Sequence, residues 1–340
     1  MRAVVLVGGE GTRLRPLTLT RPKPMLPVGG VAMLTRKLAH LAEHGVTEAV
    51  LSLGYRPDAF MAAFPSGEAA GVRLLYAVEP SPLDTAGAIR FAAAEAGFLD
   101  GGSEPIIAVN GDVLTTLDLT AQVAFHRSVG ARATIALTRV DDPSAFGVVP
   151  CDPDGRVIAF VEKPKREDAP TDWINAGTYV LDPSVITAIA TETRISIERV
   201  VFPELVAEGT LYAVHADVPW IDAGIPSTYL QANLEAIDAT GPWNASSPSG
   251  IVHPSARISP GATVERSVVG AGCVIAHGAV VRRSVLLDGA TVEAGATVED
   301  SMLGEGARIG EGAVLRALSV VGDGAVVRAG DEFVGAKIPC

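Results

Sequence analysis

Cysteine is almost missing from this chain. Its three copies, Cys151, Cys273 and Cys340, are odd in number and far apart, and no pair has metal-ligand spacing. That excludes a disulfide-stapled secreted scaffold and a cysteine zinc site, and it fits a reduced, cytoplasmic compartment. Long apolar runs are missing too. No segment approaches 18 uninterrupted apolar residues, and residues 1–9 lack the h-region and cleavage site of a signal peptide, so no membrane span or leader is expected. Basic residues are few: 27 Lys and Arg against 39 Asp and Glu give a net charge of -12, which argues against a nucleic-acid partner. The six histidines show neither triad nor metal spacing, and none is assigned a role.

What the chain does have is enough apolar residue, 48% of 340, to bury a sizeable core in two domains. The first two-thirds alternate strand and helix signals. Apolar runs at 3–7, 48–53, 72–78 and 105–109 read as buried strands. Leu34, Leu38 and Leu41 lie at helical spacing before Gly45, and further helices are expected near Thr85 and Leu119. This rhythm predicts βαβ units and a mostly parallel sheet, with ligands beyond the carboxyl ends of its strands. The Gly8 loop, the Glu79 loop and the Asn110-Gly111-Asp112 turn all fall at those ends.

Residues 239–250 are rich in turn formers and read as a linker between a domain at 1–238 and a second at 251–340. The second domain is a repeat. Gly261, Gly278, Gly295 and Gly312 stand 17 apart, as do Val264, Val281, Val298 and Leu315, and Ser267, Ser284 and Ser301. Hexads led by an aliphatic residue, with glycine at the corner, predict a parallel β-helix with three short strands per turn. The open end of such a coil exposes strand edges, so a homo-oligomer assembled through it is expected.

The most telling segment is Ala3 to Pro27. A strand-length apolar run enters a glycine-rich turn, and Arg13, Arg15, Arg21 and Lys23 follow within one loop. Small residues let backbone N–H groups approach an anion, and fixed cations neutralise it. The pattern Gly-Gly-x-Gly-Thr-Arg-Leu-x-Pro-Leu-Thr at Gly8–Thr18, then Pro-Lys-Pro-Met at Pro22–Met25, resembles the signature of the sugar-1-phosphate nucleotidylyltransferases. It is neither the dinucleotide fingerprint nor a Walker A loop.

The resemblance implies an α/β fold, a Rossmann-like nucleotidyltransferase domain with a mixed, mostly parallel sheet, followed by a left-handed parallel β-helix. It also implies an enzyme that transfers a nucleotidyl group from a nucleoside triphosphate to a sugar-1-phosphate and releases pyrophosphate. By this resemblance Arg13 and Lys23 are catalytic, and Val7, Gly8, Gly9, Gly11, Thr12, Glu79, Thr85, Gly87, Asn110 and Gly111 bind the nucleotide. Gly147, Glu162, Lys163, Asn175 and Gly177 form the sugar-phosphate pocket, and Asp112 and Asp222 hold Mg²⁺. Read by themselves, Asn110-Gly111-Asp112 is also an ordinary turn, and Asp222 stands where an aspartate could cap a helix near Pro226. Two of only five lysines, Lys23 and Lys163, fall on these motifs. No general base is required, because a phosphate monoester with a second pKa of about 6 is already an anion near neutral pH.

Base choice rests on Glu79-Pro80-Ser81-Pro82-Leu83-Asp84-Thr85. Guanine offers two neighbouring donors that one carboxylate can accept together, so Glu79 or Asp84 favours GTP; either acid could instead cap the following helix. The opening motif with a β-helix tail is most similar to mannose-1-phosphate guanylyltransferases, although many relatives carry glycine in place of Asp84. GTP and mannose-1-phosphate yielding GDP-mannose is the first expectation. A glucose-1-phosphate thymidylyl-, uridylyl- or adenylyltransferase is the alternative. A non-catalytic regulatory subunit of the same fold is disfavoured because Arg13, Lys23 and both aspartates are present. An acyltransferase role for the coil is disfavoured because His277, on a coil corner, is the one histidine within the periods that begin at Gly261.

Overall fold

A computed structural model describes residues 1–238, 241–243 and 252–339. The chain forms two compact units, one from Met1–Gly9 with Leu34–Trp220, the other from Glu10–Met33 with Ile221–Cys340. The cation-bearing loop groups with the C-terminal residues. Of the expected linker at 239–250, only 241–243 lie within the described residues, and there Trp243 is buried with its Nε1 donating to Glu235 Oε2 at 2.7 Å.

The first unit is built on a ten-stranded sheet. Its strands are β1 (Arg2–Leu6), β2 (Glu48–Leu53), β3 (Glu68–Ala69), β4 (Val72–Val78), β5 (Ile106–Asn110), β6 (Ala133–Arg139), β7 (Gly147–Val148), β8 (Val161–Glu162), β9 (Trp173–Leu181) and β10 (Leu211–His215). β1 lies between β2 and β5, parallel to both, and β4 continues the parallel run beyond β2. β9 enters antiparallel to β5 and to β6, which makes the sheet mixed. The parallel core strands read as continuous apolar runs because both faces are covered: Ala3, Val4 and Val5 are fully buried, as are Ile106, Ile107 and Ala108.

Among the helices that flank this sheet are α1 (Met33–Glu43), α2 (Asp84–Glu95) and α3 (Leu119–Ser128). Leu34, Leu38 and Leu41 of α1 are wholly buried, each gaining about 1.5–3 kcal/mol of transfer free energy. Asp118 caps α3 by accepting from Ala121 N, satisfying an orphan donor of its first turn. Among the described residues no helix is long and apolar enough to cross a membrane.

In the second unit, α4 (Pro226–Ile237) carries the segment 10–33: Tyr229 donates its hydroxyl to Pro27 O at 2.7 Å, and Asn233 Oδ1 accepts from Gly29 N at 3.0 Å. Both side chains are fully buried, so their polar atoms need these partners. Beyond α4 come three five-stranded sheets, every pair parallel, consistent with a left-handed β-helix. The register steps by 17 residues per coil, as in Val264↔Val281 and Val281↔Val298, but by 18 where the step spans Ala317–Leu318, as in Met302↔Val320 and Leu315↔Phe333. The extra residue falls at the corner Ala317–Leu318, where both have positive φ. Aliphatic rows such as Ile275, Val292 and Ile309 stack inside with no exposure. Ser267, Ser284 and Ser301 are buried in a ladder: each Oγ donates to a carbonyl of its own coil, and Ser267 and Ser284 accept the N–H of the next serine at 3.1 Å.

Candidate functional site

In the first unit, the carboxyl ends of β1, β2, β4 and β5 meet at one edge. Gly8 follows β1, and its oxygen accepts from Tyr55 N at 3.2 Å. A Cβ on Gly8 would lie 3.2 Å from both Glu79 Oε1 and Gly54 N, so the glycine permits three strand ends to close up. Glu79 is held from both sides. Its Oε1 accepts from Ser52 Oγ at 3.0 Å and its Oε2 from Leu83 N at 3.0 Å. Asp84 Oδ1 accepts from Thr85 N at 2.8 Å, and its backbone φ is +60, a left-handed conformation that favours glycine. Neither acid caps α2 in the usual sense, since its N-cap is Leu83 with no side-chain bond.

Thr85 and Gly87 have internal partners. Thr85 Oγ1 donates to Glu198 Oε2 and accepts from Ile197 N, both at 2.8 Å, while a Cβ on Gly87 would lie 2.5 Å from Thr193 O. They tie the start of α2 to residues 193–198.

After β5, Gly111 donates its N–H to Leu6 O at 2.9 Å, and a Cβ there would strike Val7 Cγ1 at 2.5 Å. Only glycine lets the chain turn so closely over β1 and deliver Asp112. Opposite Asn110, β9 bulges between Asn175 and Tyr179. Within the bulge Gly177 has φ +70, and a Cβ on it would lie 2.6 Å from Asn110 Nδ2. Asn175 secures the bulge, accepting from Gly177 N at 2.9 Å and donating to the Tyr179 hydroxyl at 2.9 Å. Asn110, Gly111, Asn175 and Gly177, picked out in separate motifs, are therefore one cluster.

Gly147 lies beside Phe160 and Glu162. Glu162 Oε1 stands 3.4 Å from Lys163 Nζ, whose ammonium is exposed, and Lys163 N donates to Phe146 O at 3.0 Å. Phe146 packs edge-on against Trp220 at 5.8 Å, and Trp220 Nε1 donates to Ala176 O at 2.9 Å. This aromatic wall had no motif to announce it. Nor did Lys37 of α1, which is 2% exposed. Burial pushes its ammonium down to about 8, opposed by the Asp112 carboxylate.

In the second unit, the loop after Glu10 is rigid. Gly11 has φ +63, Thr12–Leu14 and Lys23–Met25 are single 3₁₀ turns, and Thr18 Oγ1 donates to Gly11 O at 2.8 Å. The four cations divide. Arg15 pairs with Glu10 at 2.7 Å, and Arg21 binds Glu305 and Asp323. Two arginines of the basic loop are therefore already neutralised by the protein. Arg13 is exposed, without a salt bridge among the described residues, and Lys23 is half-buried. Asp222 lies close to Gly224, as does the Arg13 guanidinium: a Cβ on Gly224 would sit 2.7 Å from Asp222 Oδ1 and 2.8 Å from Arg13 Nη2. Asp222 does not cap α4, whose N-cap is Ile225; its backbone carbonyl accepts from Thr228 Oγ1 at 2.6 Å.

A mixed sheet with its glycine turns at one edge, and a loop of fixed cations, describe a protein that handles nucleoside phosphates. The model of the nucleotidyl transferase family matches residues 2–239, and the chain belongs to that family. A second model, of the GMPPB C-terminal domain, matches residues 246–337. The chain is 43% identical to a mannose-1-phosphate guanylyltransferase of Mycobacterium tuberculosis over 276 residues, covering 79% of this chain and 75% of that one. It is 37% identical to a probable mannose-1-phosphate guanylyltransferase 1 of Oryza sativa, covering 81% and 74%. Among solved structures, HddC from Yersinia pseudotuberculosis complexed with GMP-PN matches with a TM-score of 0.57 and 29% identity, over 68% of this chain and 97% of that one.

Proposed function

We propose that this nucleotidyltransferase joins GTP and mannose-1-phosphate into GDP-mannose, releasing pyrophosphate. The observation that carries the reading is the strand-end cluster of Gly8, Glu79, Asn110, Gly111 and Gly177 on the sheet, taken with the Gly11–Lys23 loop. The names of the relatives supply the substrates.

In this reading a sugar-phosphate oxygen attacks the α-phosphorus in line, and pyrophosphate leaves. The nucleophile is already anionic, so Arg13 and Lys23 align and neutralise two anions rather than move a proton. Arginine forks onto paired phosphate oxygens, while lysine supplies a compact charge. Val7, Gly8, Gly9, Gly11 and Thr12 present backbone to the nucleotide, with Asn110 and Gly111 below it; Thr85 and Gly87 act through the packing of α2. Gly147, Asn175 and Gly177 shape the sugar pocket, Glu162 accepts from sugar hydroxyls and Lys163 meets the sugar phosphate.

Asp112 and Asp222 would hold Mg²⁺. Their hard carboxylate oxygens fit that ion, which is commonly bound by one or two carboxylates plus substrate phosphates and water. When bound, the ion supplies neutralisation of phosphate charge.

Glu79 is the stronger base reader of the two acids. Each of its oxygens accepts one internal bond, leaving a second lone pair free to accept from guanine. We further propose a cytoplasmic homo-oligomer, with a linker at 239–250 and assembly through the coil end, where Val334 is 74% exposed. A monomeric mass in solution would remove the assembly claim. The function is tested by pyrophosphate release across a grid of nucleotides and sugar-1-phosphates with Mg²⁺. Greatest turnover with GTP and mannose-1-phosphate is expected; preference for dTTP, UTP or ATP overturns the substrates, and no release with any pair overturns the catalytic reading. Glu79→Gln should narrow the preference for GTP over dTTP.

A further inference from the structure

We propose that the β-helix splints the phosphate-binding loop, with Glu305, Asp323 and Lys337 as positioning residues for nucleotidyl transfer. The inference rests on the catalytic reading of Arg13 and Lys23. Glu305 and Asp323 occupy matching corners of successive coils, just before Gly306 and Gly324. Asp323 divides its oxygens. Oδ1 accepts from Glu305 N at 2.7 Å and locks the coil corner, while Oδ2 accepts from Thr20 Oγ1 and from Arg21 Nη2, the latter at 3.2 Å. The same Nη2 also donates to Glu305 Oε2. Two coils earlier, Asp288 makes the same corner bond to Ala271 N at 2.8 Å, so the corner itself needs an aspartate only for that inner bond. The outward half of Asp323 serves the loop.

The Asp323 arm of the clamp is largely shielded from solvent, while the Glu305 carboxylate is half-exposed. The Asp323 side chain is 13% exposed and that of Arg21 24%, and the two carboxylates hold the guanidinium's pKa above its ordinary value despite burial. Arg21 is thereby withdrawn from phosphate binding. Its position is passed on to Lys23 through Pro22 and Pro24, which lock φ on both sides of the lysine within a single 3₁₀ turn. At the other end of the loop, Lys337 Nζ donates to the backbone carbonyl of Arg13 at 2.9 Å. Both catalytic cations are thus flanked by anchors from the coil, and a misplacement of about 1 Å at such groups can cost on the order of a hundredfold in rate.

The test uses the full-length chain. Asp323→Asn keeps an inner acceptor for Glu305 N but removes the charge, and it is combined with Glu305→Gln; Lys337→Gln removes the second anchor. Glu265→Gln is the control, breaking the exposed coil-to-coil pair with Arg282 without touching the loop. In the clamp variants kcat should fall about tenfold and KM for the nucleotide rise several-fold, with KM for the sugar phosphate held within about twofold. Arg21→Lys should retain more turnover than Arg21→Ala. Hydrogen exchange across residues 10–26 should accelerate in the clamp variants, while the control matches the parent in both assays. Unchanged kinetics overturn the proposal, as does an equal loss in Glu265→Gln, which would trace the effect to coil stability. Should the parent itself release no pyrophosphate, the catalytic reading falls, and exchange alone decides the clamp: faster exchange upholds it and unchanged exchange refutes it.

Discussion

The two units both stack parallel strands around aliphatic side chains, yet they spend their irregularities differently. In the ten-stranded sheet, departures from regular geometry gather at one edge: the Gly8 approach, the turn at Gly111 and the bulge at Gly177. In the coil every corner repeats, and the single break in period falls at Ala317–Leu318. A repeated corner carries little chemical information because its side chains are already used by the neighbouring coil, as the serine ladder shows. A strained strand end leaves backbone and side chains available to a ligand, at a cost met by the surrounding core.

The largest expected break in this comparison lies in the loop rather than in either scaffold. Arg13→Ala or Lys23→Ala should lower kcat by roughly 10²–10³, by analogy with removal of one transition-state donor, with circular dichroism unchanged. Retention of full turnover would dissolve the catalytic assignment. Next, Ile275→Ala hollows the coil interior and should cost about 2–5 kcal/mol in urea unfolding while kcat stays near the parent value. A large loss of turnover from this coil, which bears no anchor, would blur the distinction between the units.

Gly177→Ala should combine a φ penalty of about 1–2 kcal/mol with displacement of Asn110, lowering both stability and turnover, so that one substitution registers in two assays. An equal substitution at Gly295, a coil corner where a Cβ meets nothing within 4 Å, should show the φ penalty alone. The smallest effect concerns His40. Burial, helped by repulsion from Lys37, lowers its pKa from 6.5 to about 4, against a hydrogen bond with Leu117 O that favours the charged form. The unfolded chain therefore binds the proton more readily between those values. Stability should be complete above pH 6.5 and decline as the pH falls toward 4, and His40→Gln should flatten that slope in pH-dependent unfolding.

The coil was legible in the sequence because its contacts recur at a fixed step: Val264, Val281 and Val298 report one another's environment. The step of 18 was not: Met302↔Val320 and Leu315↔Phe333 both span Ala317–Leu318, and no local pattern marks which residue is extra. The strand ends were legible where a glycine needs a close neighbour, as at Gly111. Glu79 was singled out correctly as a strand-end acid, but its anchors, Ser52 and Leu83 N, come from another strand and from the backbone, where side-chain pattern is silent. The basic loop was legible in part: Arg13 and Lys23 were assigned to phosphate, but nothing local tells that Arg15 and Arg21 find carboxylates, the latter some three hundred residues away. Tertiary partners at that separation leave no local trace.

That separation has a consequence for synthesis. Asp323 is translated 302 residues after Arg21, which at about 5–20 residues per second means roughly 15–60 s on the ribosome. The sheet can close only once β10 has been made, and the arginine stays without its acidic seat until the coil corner after Val321 follows. The clamp proposed above is thus set late in synthesis, after the sheet that carries the strand-end glycines.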